Sequence, residues 1–350
     1  MKHIVTVGPV FPLEGGGSLS DVRVEVRSWG RHRRRASLVC HALTGNADVD
    51  QWWGGLFGRT GVLDPATSFI ISMNVLGGCN GTTGPTTIDP ARGVPYGADF
   101  PRVTIRDMVR LQHAVLERMG VEHLDLVIGG SMGGMQVLEW IAMFPEFVSN
   151  AVPIAVGSDQ SPWAIGLSET QRHAITTDPA FAGGRYRQDD PPSAGLATAR
   201  MIAMLSYRSP GEFAGRFGRG ARDGVFDVQS YLRHQGDKLA RRFDANTYLT
   251  LIDAMDGHDL GRGRGPTEAI LRRLTTRTLV VGISSDLLYP VGEVRRLAAT
   301  LPNSRFAVLD SPHGHDAFLI ETDQLAGIVG RFLAEPIPTS VDSARGAAWA

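Results

Sequence analysis

The period of apolar and polar residues changes along the chain, and each change marks an element. Val22, Val24 and Val26 alternate with Arg23, Glu25 and Arg27. A period of two predicts a half-buried antiparallel strand at the start of a sheet. Short, mostly apolar runs follow at residues 36–40, 68–75, 124–128, 150–156, 277–284 and 305–309. Each has strand length and reads as a buried strand. Helical spacing lies between them. Over residues 104–119, Ile105, Met108, Val109, Leu111, Val115, Leu116 and Met119 make one apolar face. Thr104 is placed to cap that helix, Asp107 stands three residues on, and Gly120 ends it. Residues 291–301 and 322–334 read as further helices. Strands alternating with helices predict an α/β fold with a mostly parallel, doubly wound sheet.

From 157 to 265 the strand-like runs vanish, and helical patterns occupy 196–205, 228–243 and 245–255. A helical block set into a βαβ pattern reads as an inserted cap or lid. The predicted organisation is therefore a core in two parts, 1–156 and 266–336, a cap over 157–265, and a frayed Pro/Ser/Ala/Gly-rich tail over 337–350. Three loops are predicted with it. Residues 46–63 look like a surface excursion, and 76–85 is too glycine-rich for a packed element. Residues 261–265 (GRGRG) suit a flexible return to the core. They lack the G-K-[ST] ending of a phosphate loop.

Chemistry concentrates where a predicted strand meets a helix. Gly129-Gly130-Ser131-Met132-Gly133 is G-x-S-x-G with a strand before it and an apolar helix after it. Such an elbow holds the serine on a strained turn, with small neighbours where Cβ atoms would collide. Ser131 is the candidate nucleophile. The next backbone N–H, that of Met132, opens a helix and suits a developing oxyanion. A serine needs a base, and the base an orienting acid, in the chain order Ser…Asp/Glu…His. Asp286, just past the strand at 277–284, fits the acid, with Asp310 its nearest rival. His313 and His315 both lie in the loop after the strand at 305–309, and the residues alone leave the choice open. H-x-H could suggest a metal pair, but no ligand cluster accompanies it, and no metal is expected. A second oxyanion donor should come from His41-Ala42-Leu43-Thr44-Gly45, with the N–H of Leu43 first among the candidates.

Composition narrows the class. The 350 residues are 43% hydrophobic and 20% charged with a net charge of −1, which suits a globular enzyme. That balance leaves no cationic excess for nucleic acid or a membrane surface, and the run at 31–35 (RHRRR) reads as a solvated turn. Two cysteines, Cys40 and Cys79, cannot build a disulfide framework, so a reducing cytoplasmic compartment is expected. The first residues carry Gly8, Pro9, Pro12 and Glu14 and do not read as a signal peptide. No uncharged stretch reaches the length of a membrane span.

The motifs taken together resemble the homoserine O-acyltransferases of the α/β-hydrolase superfamily. The resemblance is carried by LVCHALTG (38–45), NVLGGCNGTTGP (74–85), YGADFPRVTIRDMV (96–109), GGSMGGMQVLEW (129–140), QSYLRHQGDKLARRFDANTYL (229–249) and HGHDAFL (313–319). It implies Ser131 as nucleophile, Asp286 as acid and, as the histidine just before D-x-F-L, His315 as base. It further implies that Arg200 and Asp316 hold the amino-acid acceptor, with Tyr207 beside them. By itself Arg200 reads as a solvated helix charge. An acceptor with an α-carboxylate and an α-ammonium does want one fixed cation and one fixed anion.

The implied function is transfer of an acetyl group from acetyl-CoA, a co-substrate, to the homoserine hydroxyl in methionine biosynthesis. The implied route is ping-pong through acyl-Ser131, with no bound cofactor, and the implied assembly is a homodimer through the cap helices. One departure stands out. Residues 46–51 (NADVDQ) are shorter than the corresponding loop of many relatives. Serine as acceptor and succinyl as acyl group stay open as alternatives, as does a serine esterase or thioesterase.

Overall fold

The computed structural model describes residues 1–336 other than Thr60; the tail at 337–350 lies outside the described residues. The strands are β1 (Lys2–Pro12), β2 (Ser18–Trp29), β3 (Arg35–Cys40), β4 (Ile70–Met73), β5 (His123–Gly130), β6 (Asn150–Ile154), a two-residue pair β7 (Ala221–Arg222) and β8 (Val225–Phe226), then β9 (Arg277–Ile283) and β10 (Ser304–Leu309). Eight of them form one sheet in the order β1-β2-β4-β3-β5-β6-β9-β10, and β7 pairs with β8 apart from it. β2 runs antiparallel to β1 and β4, and the remaining neighbours are parallel.

Parallel neighbours need crossovers, and helices Ile105–Arg118, Met132–Met143, Val291–Thr300 and Thr322–Ala334 supply helical cover. Successive side chains alternate between two cores. Leu38, Ile71, Val127 and Val280 enter one, while Val39, Ile70, Ile128 and Val281 enter the other. Thr104 caps its helix as expected, accepting the Asp107 N–H and closing a capping box worth about 1 kcal/mol. β1 escapes a reading of period. Its register with β2 slips between Val7 and Val10, where Gly8 takes φ 52, and its edge position leaves Ile4 and Val10 exposed.

The three loops depart from expectation in the same direction. The stretch expected as a surface excursion is pinned inward. Val49, Trp53, Leu56 and Leu63 are fully buried, and the Trp53 indole N–H donates to the Phe318 carbonyl at 2.7 Å. The glycine-rich stretch after β4 has no regular structure, yet it is packed. Its Thr82 hydroxyl accepts the Glu25 N–H and donates to the Asn74 carbonyl, at 3.0 and 2.8 Å. The GRGRG stretch is no free hinge either. Arg262 pairs with Glu14 at 2.9 Å and Arg264 with Glu139 at 2.7 Å.

Between β6 and β9 lie the helices Pro162–Thr176, Ser193–Tyr207, Pro210–Phe217, Asp227–Ala240 and Ala245–Asp256, and the short Thr267–Leu271. The first of these and Pro210–Phe217 have no clear counterpart in the sequence periodicity. The small β7–β8 hairpin breaks an otherwise helical block. The two ends of this insertion are clasped. Gln160 N–H donates to the His258 carbonyl at 2.9 Å, and Leu260 N–H to that of Ser158 at 3.0 Å. Arg106 seals the clasp, donating to Glu139 at 3.0 Å, to Glu14 at 2.8 Å and to the Asp259 carbonyl at 2.8 Å.

Candidate active site

Ser131 sits between β5 and the helix Met132–Met143 at φ 57, ψ −124. A non-glycine residue there stores about 1–3 kcal/mol of strain, and dense surroundings must hold it. They do. The Ser131 N–H donates to the Ile154 carbonyl at 2.9 Å, and every residue from Met132 to Ile141 is buried. Two glycines make the turn possible. A Cβ on Gly133 would lie 2.2 Å from the Cys40 carbonyl oxygen, and one on Gly130 would lie 2.7 Å from the Phe318 ring. The elbow is thereby pressed against the end of β3 on one side and Phe318 on the other. As first residue of its helix, Met132 has an N–H with no acceptor inside that helix.

His315 and Asp286 meet. The loop after β9 brings Asp286, and the loop after β10 brings His315, whose Nδ1 lies 2.7 Å from Asp286 Oδ2. The other carboxylate oxygen accepts the N–H groups of Leu288 and Tyr289 at 2.8 and 3.0 Å. An ionised carboxylate can only accept, so Nδ1 carries a proton, and in the neutral ring Nε2 keeps its lone pair. That Nε2 is buried and has no hydrogen-bond partner among the described residues. The ring is boxed by Tyr289, Tyr207 and Phe318 at 5.4, 5.7 and 5.7 Å between centroids. Phe318 also covers Gly130, so one ring touches both the imidazole and the elbow. Burial opposes a proton on His315, but the Asp286 charge and hydrogen bond, with Asp316 behind, hold its pKa above the ordinary histidine value.

The rivals lie elsewhere. His313 faces Glu212 at 3.4 Å and Glu321 at 3.7 Å rather than Asp286. Asp310 is exposed and accepts from the Ser284 hydroxyl at 2.8 Å. Leu43 lies in the loop leaving β3, buried, with the Ala42 carbonyl beside it accepting the Gly45 N–H at 2.9 Å.

Arg200, Tyr207 and Asp316 gather on one side of His315. Arg200 stacks its guanidinium 5.3 Å from the Tyr207 ring, and its Nη1 is buried without a hydrogen-bond partner among the described residues. That is no solvated helix charge. Burial pushes the Tyr207 phenol up to about 12. Asp316 pairs with Arg208 Nε at 3.3 Å. Burial raises the Asp316 pKa, and Arg208, Arg200 and His315 pull against it. Two contributors carry no motif of their own: Arg208 follows Tyr207 directly, and Tyr289 lies three residues past Asp286. A third, Phe318, is the phenylalanine of D-x-F-L. Tyr289 supports the imidazole and donates its hydroxyl to Gln160 Oε1 at 2.7 Å. An arrangement of this kind can take a proton from a serine, store charge on oxygen and accept a zwitterion nearby.

A family model described as the alpha/beta hydrolase fold matches residues 38–322. The homoserine O-acetyltransferase of Trichormus variabilis is 52% identical over 328 residues, covering 92% of this chain and 91% of the relative. Among solved structures, homoserine O-acetyltransferase from Staphylococcus aureus aligns with a TM-score of 0.82 at 29% identity over 98% of each chain. The acetyl esterase MekB aligns with a TM-score of 0.84 at 28% identity, covering 96% of this chain and 97% of its own. Backbone shape alone therefore joins transferases and esterases, and the near-full-length identity separates them. The chain belongs to the homoserine O-acetyltransferase family, on the α/β-hydrolase fold.

Proposed function

We propose that this protein transfers the acetyl group of acetyl-CoA to the hydroxyl of homoserine through an acetylated Ser131. The observation that carries the reading is the 2.7 Å contact between His315 Nδ1 and Asp286, which leaves the buried Nε2 free beside the elbow. Ser131 Oγ attacks the thioester carbonyl while its proton passes to His315 Nε2. The tetrahedral oxyanion rests on the N–H groups of Met132 and Leu43, each worth roughly 3 kcal/mol. Collapse breaks the C–S bond, and the CoA sulfur leaves with the proton. The homoserine hydroxyl then gives its proton to the same nitrogen and attacks the acyl ester. A second collapse frees Ser131, which recovers the proton, and releases the O-acetyl product.

Arg200 takes the acceptor carboxylate and Asp316 its ammonium, with Tyr207 backing Arg200 and His315. No resident cofactor or metal enters this scheme; acetyl-CoA is a co-substrate. The division into a core over 1–156 and 266–336 with a cap over 157–265 belongs to the same reading. So does work in the cytoplasm, and so does a homodimer joined through the cap. Exposed Trp163, Leu205 and Phe226 on the insertion support the dimer, and a monomer mass by light scattering would remove it. Among the described residues no helix is long and apolar enough to cross a membrane.

The likeness to an acetyl esterase favours one other reading, in which water replaces homoserine. A single assay separates them. Purified protein should release CoA steadily from acetyl-CoA only when homoserine is added, and Ser131→Ala should abolish the release. Steady release without an acceptor would assign a hydrolase, and activity of Ser131→Ala above a thousandth of wild type would remove Ser131 as nucleophile.

A further inference from the structure

The loop that supplies Leu43 is held by a buried histidine the mechanism above does not use. His41 Nε2 lies 3.2 Å from the Val75 N–H, and its Nδ1 lies 2.8 Å from the Ala42 carbonyl oxygen. A backbone N–H can only donate, so Nε2 accepts, and the ring proton sits on Nδ1 and is given to Ala42. The Ala42 carbonyl also takes the Gly45 N–H at 2.9 Å. That carbonyl and the Leu43 N–H belong to one planar trans peptide and point in opposite directions. Two donors on the oxygen therefore fix where the N–H at the other end points.

A second set of bonds ties this loop to the elbow. The Trp140 indole, which can only donate, gives its N–H to Gln112 Oε1 at 2.8 Å. Gln112 Nε2 then donates to Gln136 Oε1 at 2.7 Å, which turns the Gln136 amide towards two carbonyls. Its Nε2 donates to the His41 oxygen at 3.3 Å and to the Met132 oxygen at 3.1 Å. The segments bearing the two oxyanion donors are thus held together, and His41 is the part that sets the angle of one of them.

We propose that His41 is a positioning residue for the reaction: its Nδ1–H pins the Ala42–Leu43 peptide and thereby aims the Leu43 N–H at the oxyanion. The inference rests on the acyl-Ser131 reading. The neutral ring it needs is kept by burial, which pushes the His41 pKa down to about 4.

Two substitutions separate aiming from scaffolding. His41→Asn leaves an amide donor near the position of Nδ1, whereas His41→Gln reaches towards Val75 and leaves Ala42 with one donor fewer. Both are to be compared with wild type for single-turnover acylation by acetyl-CoA, for KM and for thermal midpoint. His41→Gln should lose about 100-fold in the acylation rate, the cost of one oxyanion donor, with its acetyl-CoA KM within about twofold. His41→Asn should stay within about tenfold of wild type, with a similar thermal midpoint. Equal losses in the two variants, a loss carried by KM, or a loss that tracks melting would overturn the proposal. If His41→Gln does not fold, His41→Asn decides, and a folded His41→Asn slower by more than about 100-fold also overturns it. Failure of both to fold overturns it too, because His41 would then belong to the scaffold. An active Ser131→Ala would instead bring down the acyl-enzyme reading itself, so the two failures are told apart.

Discussion

At the residue scale the decisive quantity is the proton on His315. Burial works against it, while the Asp286 carboxylate, its hydrogen bond and Asp316 favour it, and the net pKa lies above the ordinary histidine value. In the proposed mechanism only the neutral ring can take the Ser131 proton. The acylation rate should therefore climb as pH rises, with a midpoint above about 6.5. A midpoint below that value in a stopped-flow pH profile would mean that Asp286 does not face His315 in the working enzyme. Asp286→Asn should cost about a thousandfold or more in kcat, since it removes the group that holds the tautomer. Arg200 allows a test confined to one half-reaction. Its Nη1 is buried and unpaired among the described residues, so Arg200→Ala should raise the homoserine KM about 10- to 100-fold. Acylation by acetyl-CoA should be nearly untouched, and an equal loss in both half-reactions would take Arg200 out of the acceptor site.

At the scale of elements, the elbow helix is locked to the return of the insertion through Glu139. This fully buried carboxylate pairs with Arg106 at 3.0 Å and with Arg264 at 2.7 Å. Removing it leaves Arg264 without its anion and Arg106 with Glu14 alone, in a largely dry setting. Glu139→Gln should therefore cost about 3 kcal/mol in urea unfolding, and a loss under about 1 kcal/mol would place the network in water. The elements themselves were largely legible. The capped helix after Thr104, the elbow strand and its helix, and the strands carrying Asp286 and His315 all announce themselves by period and punctuation. What period cannot report is long-range contact. Trp53 reads as part of a loop until Phe318 is found beside it, 265 residues away in sequence. Arg262 and Arg264 read as a mobile run until Glu14 and Glu139 are found opposite them. Asp286, the proposed acid, was readable from its place after a strand. The choice of His315 over His313 needed the resemblance, because both fit one loop and only the fold puts one ring on Asp286.

For the whole molecule, the question is what keeps the insertion seated on the sheet, since Tyr207 and Arg200 come from one and Ser131, Asp286 and His315 from the other. The clasp at 158–160 and 258–260 joins the two at their common base, and His258 is buried within it. Burial, with the Arg106 charge next in weight, pushes the His258 pKa down to about 3. In the unfolded chain the same ring takes a proton near pH 6.5. Between those two values the unfolded state binds the extra proton, so stability falls as pH falls. This one group contributes about 1.4 kcal/mol per pH unit across that window and nothing above it. Other titrating groups, His41 among them, act alike in wild type and in a variant at position 258, so a comparison isolates the clasp. Between pH 6 and pH 4.5, the unfolding free energy of His258→Gln from urea melts should drop less steeply than that of wild type, by about 1.4 kcal/mol per unit. Its absolute stability can move either way without bearing on the point. Parallel slopes would mean that His258 is already protonated in the folded protein, and that the clasp opens to water on the acid side of neutrality.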